Sequence, residues 1–170
     1  MPSDSGLSSS PSALTRVAAW TDGCCLGNPG PGGYGVVLLS GSHRKELSGG
    51  YKRTTNNRME ILAVIRALEA LKERCDVTIH TDSQYVVKAM NEGWAEKWKS
   101  RGWKTAGNTP AMNPDLWEQL LRLRLKHHTT FQWVKGHSGA VENERADRLA
   151  NAAATGPDLQ DDTGYTGLPG

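Results

Sequence analysis

Apolar positions change their spacing several times along the chain, and each change marks an expected element. RVAAW at residues 16–20 is an apolar run stopped by Thr21-Asp22-Gly23, which predicts a buried strand ending at a loop. YGVVLLS at 34–40 and KELSGGYK at 45–52 flank a polar Gly-Ser-His-Arg turn and predict a hairpin. From Arg58, the residues Ile61, Val64, Ile65, Leu68 and Leu71 recur at helical spacing, with Asn56 or Asn57 available as the cap. DVTIHTD at 76–82 repeats the first strand pattern, again ending in Thr-Asp. A helical stretch with breaks at Gly93 and Gly102 follows, then an amphipathic helix over 114–128 that closes on His127 and His128, where cations suit the helix dipole. TTFQWVKG predicts a strand and ENERADRLANAAAT an Ala-rich last helix. The order β-β-β-α-β-α-α-β-α predicts an α/β (or α+β) mixed sheet packed with helices.

At 170 residues the chain suits one domain. Residues 1–14 are rich in Ser and Pro without the cationic start or apolar run of a signal peptide, so a disordered tail and a cytoplasmic location are expected. Residues 157–170, rich in Gly, Pro and Asp, are expected to form a flexible tail, which leaves 15–156 as the folded domain. No stretch approaches a membrane span. Cys24, Cys25 and Cys75 form no C-x-x-C pair and read as free thiols. A net charge of +2 is too small to argue for nucleic acid by itself.

Gly30, Gly32 and Gly35 form a G-x-G-x-x-G string, the signature of a dinucleotide-binding turn. That motif needs its last glycine to open a helix, whereas Gly35 opens the β-branched VVLLS, so a nucleotide site is not expected. Two readings of these residues stay open: a tight strand connection, or close backbone approach to a bulky ligand.

Asp22 and Asp82 each close an apolar run, a costly place for a carboxylate without a compensating partner. Glu60 lies in line with Val64, Leu68 and Leu71 on its helix, and Asp147 neighbours Ala150 on the last one. These acids could be turn, dipole and solvated residues. If the two Thr-Asp strands are neighbours, the carboxylates converge, and an all-oxygen cluster suits Mg2+ or Mn2+. A pair of such ions about 4 Å apart can clamp the attacking and leaving oxygens of a phosphodiester displacement.

Six ordered blocks, TDGCCLGNPGPGGYG, TTNNRMEILAVIRALEAL, TDSQYV, KWKSRGWKTAG, WVKGHSGAVENERADRLA and DTGY, closely resemble bacterial type 1 ribonuclease H from Val17 to Tyr165. The resemblance implies a ribonuclease H-like fold, a five-stranded mixed sheet with its first three strands antiparallel, flanked by helices. It implies a hydrolase, an endonuclease that cuts the RNA strand of an RNA–DNA hybrid and leaves 5′-phosphate and 3′-hydroxyl ends. By position in the motifs, Asp22, Glu60, Asp82 and Asp147 match that family's metal ligands, for two Mg2+ ions with Mn2+ as a substitute.

His137 sits in the loop KGHSGAVENERAD, where a lone histidine is commonly a surface residue. Hydrolysis must deliver a proton to the departing 3′ oxygen, and the resemblance makes His137 a shuttle, helpful rather than indispensable. A hybrid is read through the 2′-hydroxyls of its minor groove. The resemblance puts Cys25, Asn28, Asn56 and Gln84 on the RNA side, has Arg53, Thr55 and Asn113 grip a DNA phosphate, and gives Arg58 and Glu144 supporting places. KWKSRGWK interleaves Lys97, Lys99, Arg101 and Lys104 with Trp98 and Trp103. On the residues alone it reads either as a strand-binding handle or as an exposed helix whose Trp94 and Trp98 pack inward, and the resemblance favours the handle, with Trp94 part of it, which the family uses to hold the DNA strand. Ser100 interrupts the basic run and TAGNTPAMN carries no cation, so binding weaker and less salt-dependent than a richly basic handle gives is expected. Cys24, where serine is usual in the family, makes the neighbourhood of Asp22 more oxidisable. The expected partner is the hybrid duplex, bound by a monomer without membrane or obligate protein partner.

Overall fold

A computed structural model describes residues 14–167, and the expected tail at 1–14 lies almost wholly outside them. The first strand, β1 (Thr15–Cys25), pairs antiparallel with β2 (Gly30–Ser40), which pairs antiparallel with β3 (His43–Thr54) across the Gly41-Ser42 turn. Helix α1 (Asn56–Glu69) leads into β4 (Cys75–Thr81), which lies parallel to β1. Three helices follow, α2 (Gln84–Asn91), α3 (Trp94–Ser100) and α4 (Pro114–Arg124), one more than the sequence pattern predicts because Gly93, with φ of 76°, ends one helix and starts another. β5 (His128–Trp133) lies parallel to β4, α5 (Val141–Thr155) crosses back over the sheet, and β6 (Leu159–Gln160) runs parallel to β3.

The sheet order is β5-β4-β1-β2-β3-β6, so the mixed sheet with an antiparallel first half has six strands rather than the expected five. The extra strand comes from the expected tail, whose described part is built into the fold: Leu159 and Gln160 pair with Gly50 and Tyr51. Nor do His127 and His128 close a helix. α4 stops at Arg124, His127 is buried with its Nδ1 accepting from the Cys75 backbone N–H at 3.1 Å, and His128 opens β5.

Helices cover both faces of the central strands. Gly32 faces Met59 of α1, whereas the next residue, Gly33, faces Ala150 of α5, and consecutive strand residues point to opposite faces. This double cover buries Gly32 through Leu38 without interruption, which is why β2 reads as an apolar run rather than an alternating one. α1 is buried along most of its length between the sheet and α4, and Trp117 of α4 sits wholly inside against Tyr85 and Trp98. The cap of α1 is Thr55 rather than Asn56 or Asn57; its extended backbone lets the hydroxyl accept from the Arg58 N–H at 3.2 Å.

Candidate active site

Asp22 and Asp82 come together through strand register. β1 and β4 are parallel neighbours with Thr21 opposite Thr81, so the next residue of each, Asp22 and Asp82, emerges at the same end of the sheet. The sequence pattern ends the first strand near Asp22, but β1 runs on to Cys25 because β2 continues opposite it, pairing Asp22 with Gly35 and Cys25 with Gly32. Asp82 directly follows β4 and precedes Ser83, whose hydroxyl caps α2 by accepting from the Val86 N–H at 3.2 Å.

Glu60 arrives because Gly23 has no side chain. A Cβ there would collide with the backbone of Met59 and Glu60, so this glycine lets α1 sit directly on β1 beside Asp22. The result is a cluster in which Asp22, Glu60 and Asp82 each offer a carboxylate oxygen, all within 4.8 Å of one another. Asp147 of α5 lies near enough to the Asp22 carboxyl to help raise its pKa, although it is not one of the three acids within 4.8 Å of one another.

Crowding and burial oppose ionisation throughout the cluster. Desolvation, then the charge of Asp82, pushes the Asp22 carboxyl up to about 9. Burial and the neighbouring Asp22 and Asp82 charges raise Glu60 well above the ordinary glutamate value. Burial raises Asp82 as well, against the opposing pull of His137. Glu60 Oε1 is buried and has no hydrogen-bond partner among the described residues. A buried carboxylate oxygen without a donor, in a set of three acids, is a donor set suited to a hard divalent cation.

The loop bearing His137 lies over Asp82. Gly136 packs against the Asp82 carboxylate, where a Cβ would come 2.6 Å from Oδ2. His137 itself is exposed, with a left-handed φ of 55°. Trp133, which the sequence reading did not single out, donates its indole N–H to the Asp82 carbonyl at 3.3 Å; its place at the end of a strand after a Thr-Thr-Phe run gave no hint of this bond. Burial pushes the Cys24 thiol up to about 11, which disfavours the readily oxidised thiolate at this departure from the family pattern.

Asn28 Oδ1 accepts from the Asn56 N–H at 2.9 Å and ties the loop after β1 to the start of α1, while Cys25 Sγ donates to the Thr54 carbonyl at 3.3 Å. Arg53, Asn56 and Gln84 are exposed, whereas Thr55 and Asn113 are buried. Trp94, Trp98 and Trp103 are half-buried and pack against the core, while Lys97, Lys99, Arg101 and Lys104 are exposed along that stretch together with Glu96, Ser100 and Gly102. Lys99 pairs with Glu118 at 2.9 Å. Arg58 is buried with Asp115 and Asp162 as ion-pair partners, and Glu144 lies half-buried in the first turn of α5.

The sequence profile of the RNase H family matches residues 15–155. The chain belongs to the RNase H family. Its members are nucleases of the hydrolase class. This RNase H is similar to the Ribonuclease H of Syntrophus aciditrophicus, 62% identical over 88% of this chain and 87% of that one. The Ribonuclease H of Escherichia coli is 56% identical over 89% of this chain and 97% of that one. Among solved structures, LC9-RNase H1, a type 1 RNase H with the type 2 active-site motif, superposes with a TM-score of 0.74 at 35% identity, covering 83% of this chain and 72% of that one. LC11-RNase H1 in complex with an RNA/DNA hybrid gives a TM-score of 0.60 at 28% identity, over 81% of this chain and 96% of that one.

Proposed function

We propose that this RNase H is an endonuclease that hydrolyses the RNA strand of RNA–DNA hybrids with two divalent ions, Mg2+ or in its place Mn2+, leaving 5′-phosphate and 3′-hydroxyl ends. The carrying observation is the set of Asp22, Glu60 and Asp82 oxygens within 4.8 Å of one another. With its carboxyls pushed toward neutrality and Glu60 Oε1 unbonded, the set fits divalent cations. Bound there, the ions supply an activated water and offset negative charge on the phosphate.

In this reading Asp22, Glu60, Asp82 and Asp147 would hold the ions, with Asp22, Glu60 and Asp82 as the close carboxylate set and Asp147, outside that set, as the looser ligand. His137, on the loop over Asp82, shuttles a proton to the departing 3′ oxygen or assists product release, helpful rather than indispensable. Cys25, Asn28, Asn56 and Gln84 meet the RNA minor groove, where their small polar groups read 2′-hydroxyls. Arg53, Thr55 and Asn113 hold a DNA phosphate, and Lys97, Lys99, Arg101 and Lys104 follow the DNA strand. Trp94, Trp98 and Trp103 set the shape of that handle from inside, with their exposed edges against the sugar backbone. Among the described residues no helix is long and apolar enough to cross a membrane. We read the protein as a cytoplasmic monomer acting without an obligate protein partner.

The test incubates end-labelled RNA–DNA hybrid, duplex RNA and duplex DNA with the protein, with and without EDTA. Only the RNA of the hybrid is cut, only without EDTA, and the fragments carry 5′-phosphates. Cleavage of hybrid in EDTA removes the metal reading, and equal cleavage of duplex RNA removes the substrate reading.

A further inference from the structure

The segment that reads in sequence as a tail reaches the edge of the proposed substrate cleft. Asp162 Oδ2 accepts from Thr54 Oγ1 and from Arg58 Nε, each at 2.7 Å, and Oδ1 accepts from Arg58 Nη2 at 3.0 Å. The same guanidinium forks onto Asp115 at 2.9 and 2.7 Å and reaches Asn113 Oδ1 at 3.3 Å. Arg58 is 2% exposed, so its charge depends on these partners. Burial works against the guanidinium charge, and the bonds to Asp115 and Asp162 outweigh it.

Two distant segments meet through this knot. One is the junction of β3 and α1, where Thr54 lies between Arg53 and Thr55; the other is Asn113 at the start of α4. An arginine carries only donors, so Arg58 accepts nothing and must face the carbonyl oxygen of the Asn113 amide. That fixes the orientation of the amide. Its N–H donors are left for other acceptors, one of them the Tyr85 hydroxyl at 3.3 Å. A phosphate gripped from two segments is held well only when their spacing is fixed to about 0.5 Å, and a forked, buried ion pair supplies such rigidity.

We propose that Asp162 is a positioning residue for hybrid binding: by clamping Thr54 and Arg58 it sets the spacing of the β3–α1 junction from Asn113 and orients the Asn113 amide toward the DNA-strand phosphate. The proposal rests on the reading of Arg53, Thr55 and Asn113 as that phosphate's grip. It makes Asp162 part of substrate recognition through Thr54, Arg58 and Asn113 rather than through a contact of its own.

The test compares the full-length wild type with Asp162→Ala, Asp162→Asn and Thr54→Val. Steady-state cleavage of a labelled hybrid, hybrid affinity by fluorescence anisotropy in EDTA at several salt concentrations, and thermal melting are measured on each. Asp162→Ala raises KM about tenfold, the worth of one charge-assisted hydrogen bond, with kcat within about twofold. Its slope of log affinity against log salt becomes shallower by about one, as loss of a single phosphate contact requires. Asp162→Asn and Thr54→Val, which each remove part of the clamp, raise KM by about threefold and carry the comparison should the alanine variant not fold. A lower melting temperature with unchanged KM and salt slope in all three variants overturns the proposal, because Asp162 would then only stabilise the fold. Failure of the wild type to cut hybrid is a different result, and it overturns the activity reading instead.

Discussion

Gly35 stands opposite Asp22 across the β1–β2 pair, and the place where its Cβ would lie is filled by the carbonyl oxygen of Ala146, the residue before Asp147. One missing side chain therefore determines how near α5, and with it Asp147, comes to the cluster. Gly33 makes the same allowance one turn further along, against Ala150.

Gly35→Ala forces α5 away from the sheet, because the clash is with backbone rather than with a side chain that can swing aside. Overpacking of this kind costs about 1–3 kcal/mol. Thermal melting shows the loss, and turnover falls by more than about tenfold because a misplaced group weakens the reacting geometry. Unchanged turnover in a destabilised variant would show that the position of Asp147 is unimportant.

The raised carboxyls make the metal-free protein lose stability as pH rises. Asp22 titrates near 3.8 when unfolded and at about 9 when folded, so between these values the native state holds a proton that the unfolded chain has released. The stability this group lends is complete below the unfolded value and declines as pH climbs toward the folded one; Glu60 and Asp82 act in the same direction. In EDTA the melting temperature falls from pH 5 to pH 9, a range chosen within this window. Asp22→Asn flattens the profile, melts higher at alkaline pH, and abolishes cleavage while hybrid affinity stays within about tenfold, as a residue needed for the reaction rather than for binding predicts. Mg2+ raises the wild-type melting temperature more at pH 8 than at pH 6, since cation and proton compete for the same oxygens. A flat profile in EDTA would falsify this account of the cluster.

The meeting of Asp22 and Asp82 was legible because both Thr-Asp runs end strands that lie side by side and emerge at one end of the sheet. What brings α1 and α5 against them was not. The glycines were left between a tight turn and approach to a ligand, whereas Gly23, Gly33 and Gly35 admit the backbones of α1 and α5, which no local pattern encodes. Asp162 lies in a stretch whose Gly, Pro and Asp content resembles a tail, and its attachment depends on Arg58, more than a hundred positions earlier. His127 followed the helical period into a strand approach because a histidine at a helix end and one buried on a backbone N–H look alike in sequence. β5, an edge strand exposed at most positions, kept enough β-branched and aromatic residues to be seen.

His137 tests the proton path. Its left-handed backbone is best kept by asparagine, which tolerates positive φ and carries no group that titrates near neutrality. His137→Asn lowers kcat by up to about a hundredfold, the low end for general acid catalysis by an exposed group, and leaves KM within about threefold. The loss shrinks for a substrate whose leaving 3′ oxygen is replaced by sulfur, which departs without needing the proton. A change confined to KM assigns His137 to binding alone.

Glu118 restrains the basic handle. Its carboxylate holds Lys99 Nζ at 2.9 Å while both side chains remain substantially exposed, 51% for Lys99 and 38% for Glu118. An exposed pair of this kind contributes at most about 1 kcal/mol to stability, so breaking it barely moves the melting temperature. Its effect on binding is larger, because a phosphate must compete with Glu118 for the ammonium. Glu118→Gln therefore lowers KM for hybrid severalfold at low salt and steepens the salt dependence by about one phosphate contact. Lys99→Ala reverses both changes, and in the double variant the Glu118 substitution has no further effect, as a double-mutant cycle with full coupling demands. If Glu118→Gln improves binding equally with and without Lys99, the gain comes from the general field of the surface rather than from this pair.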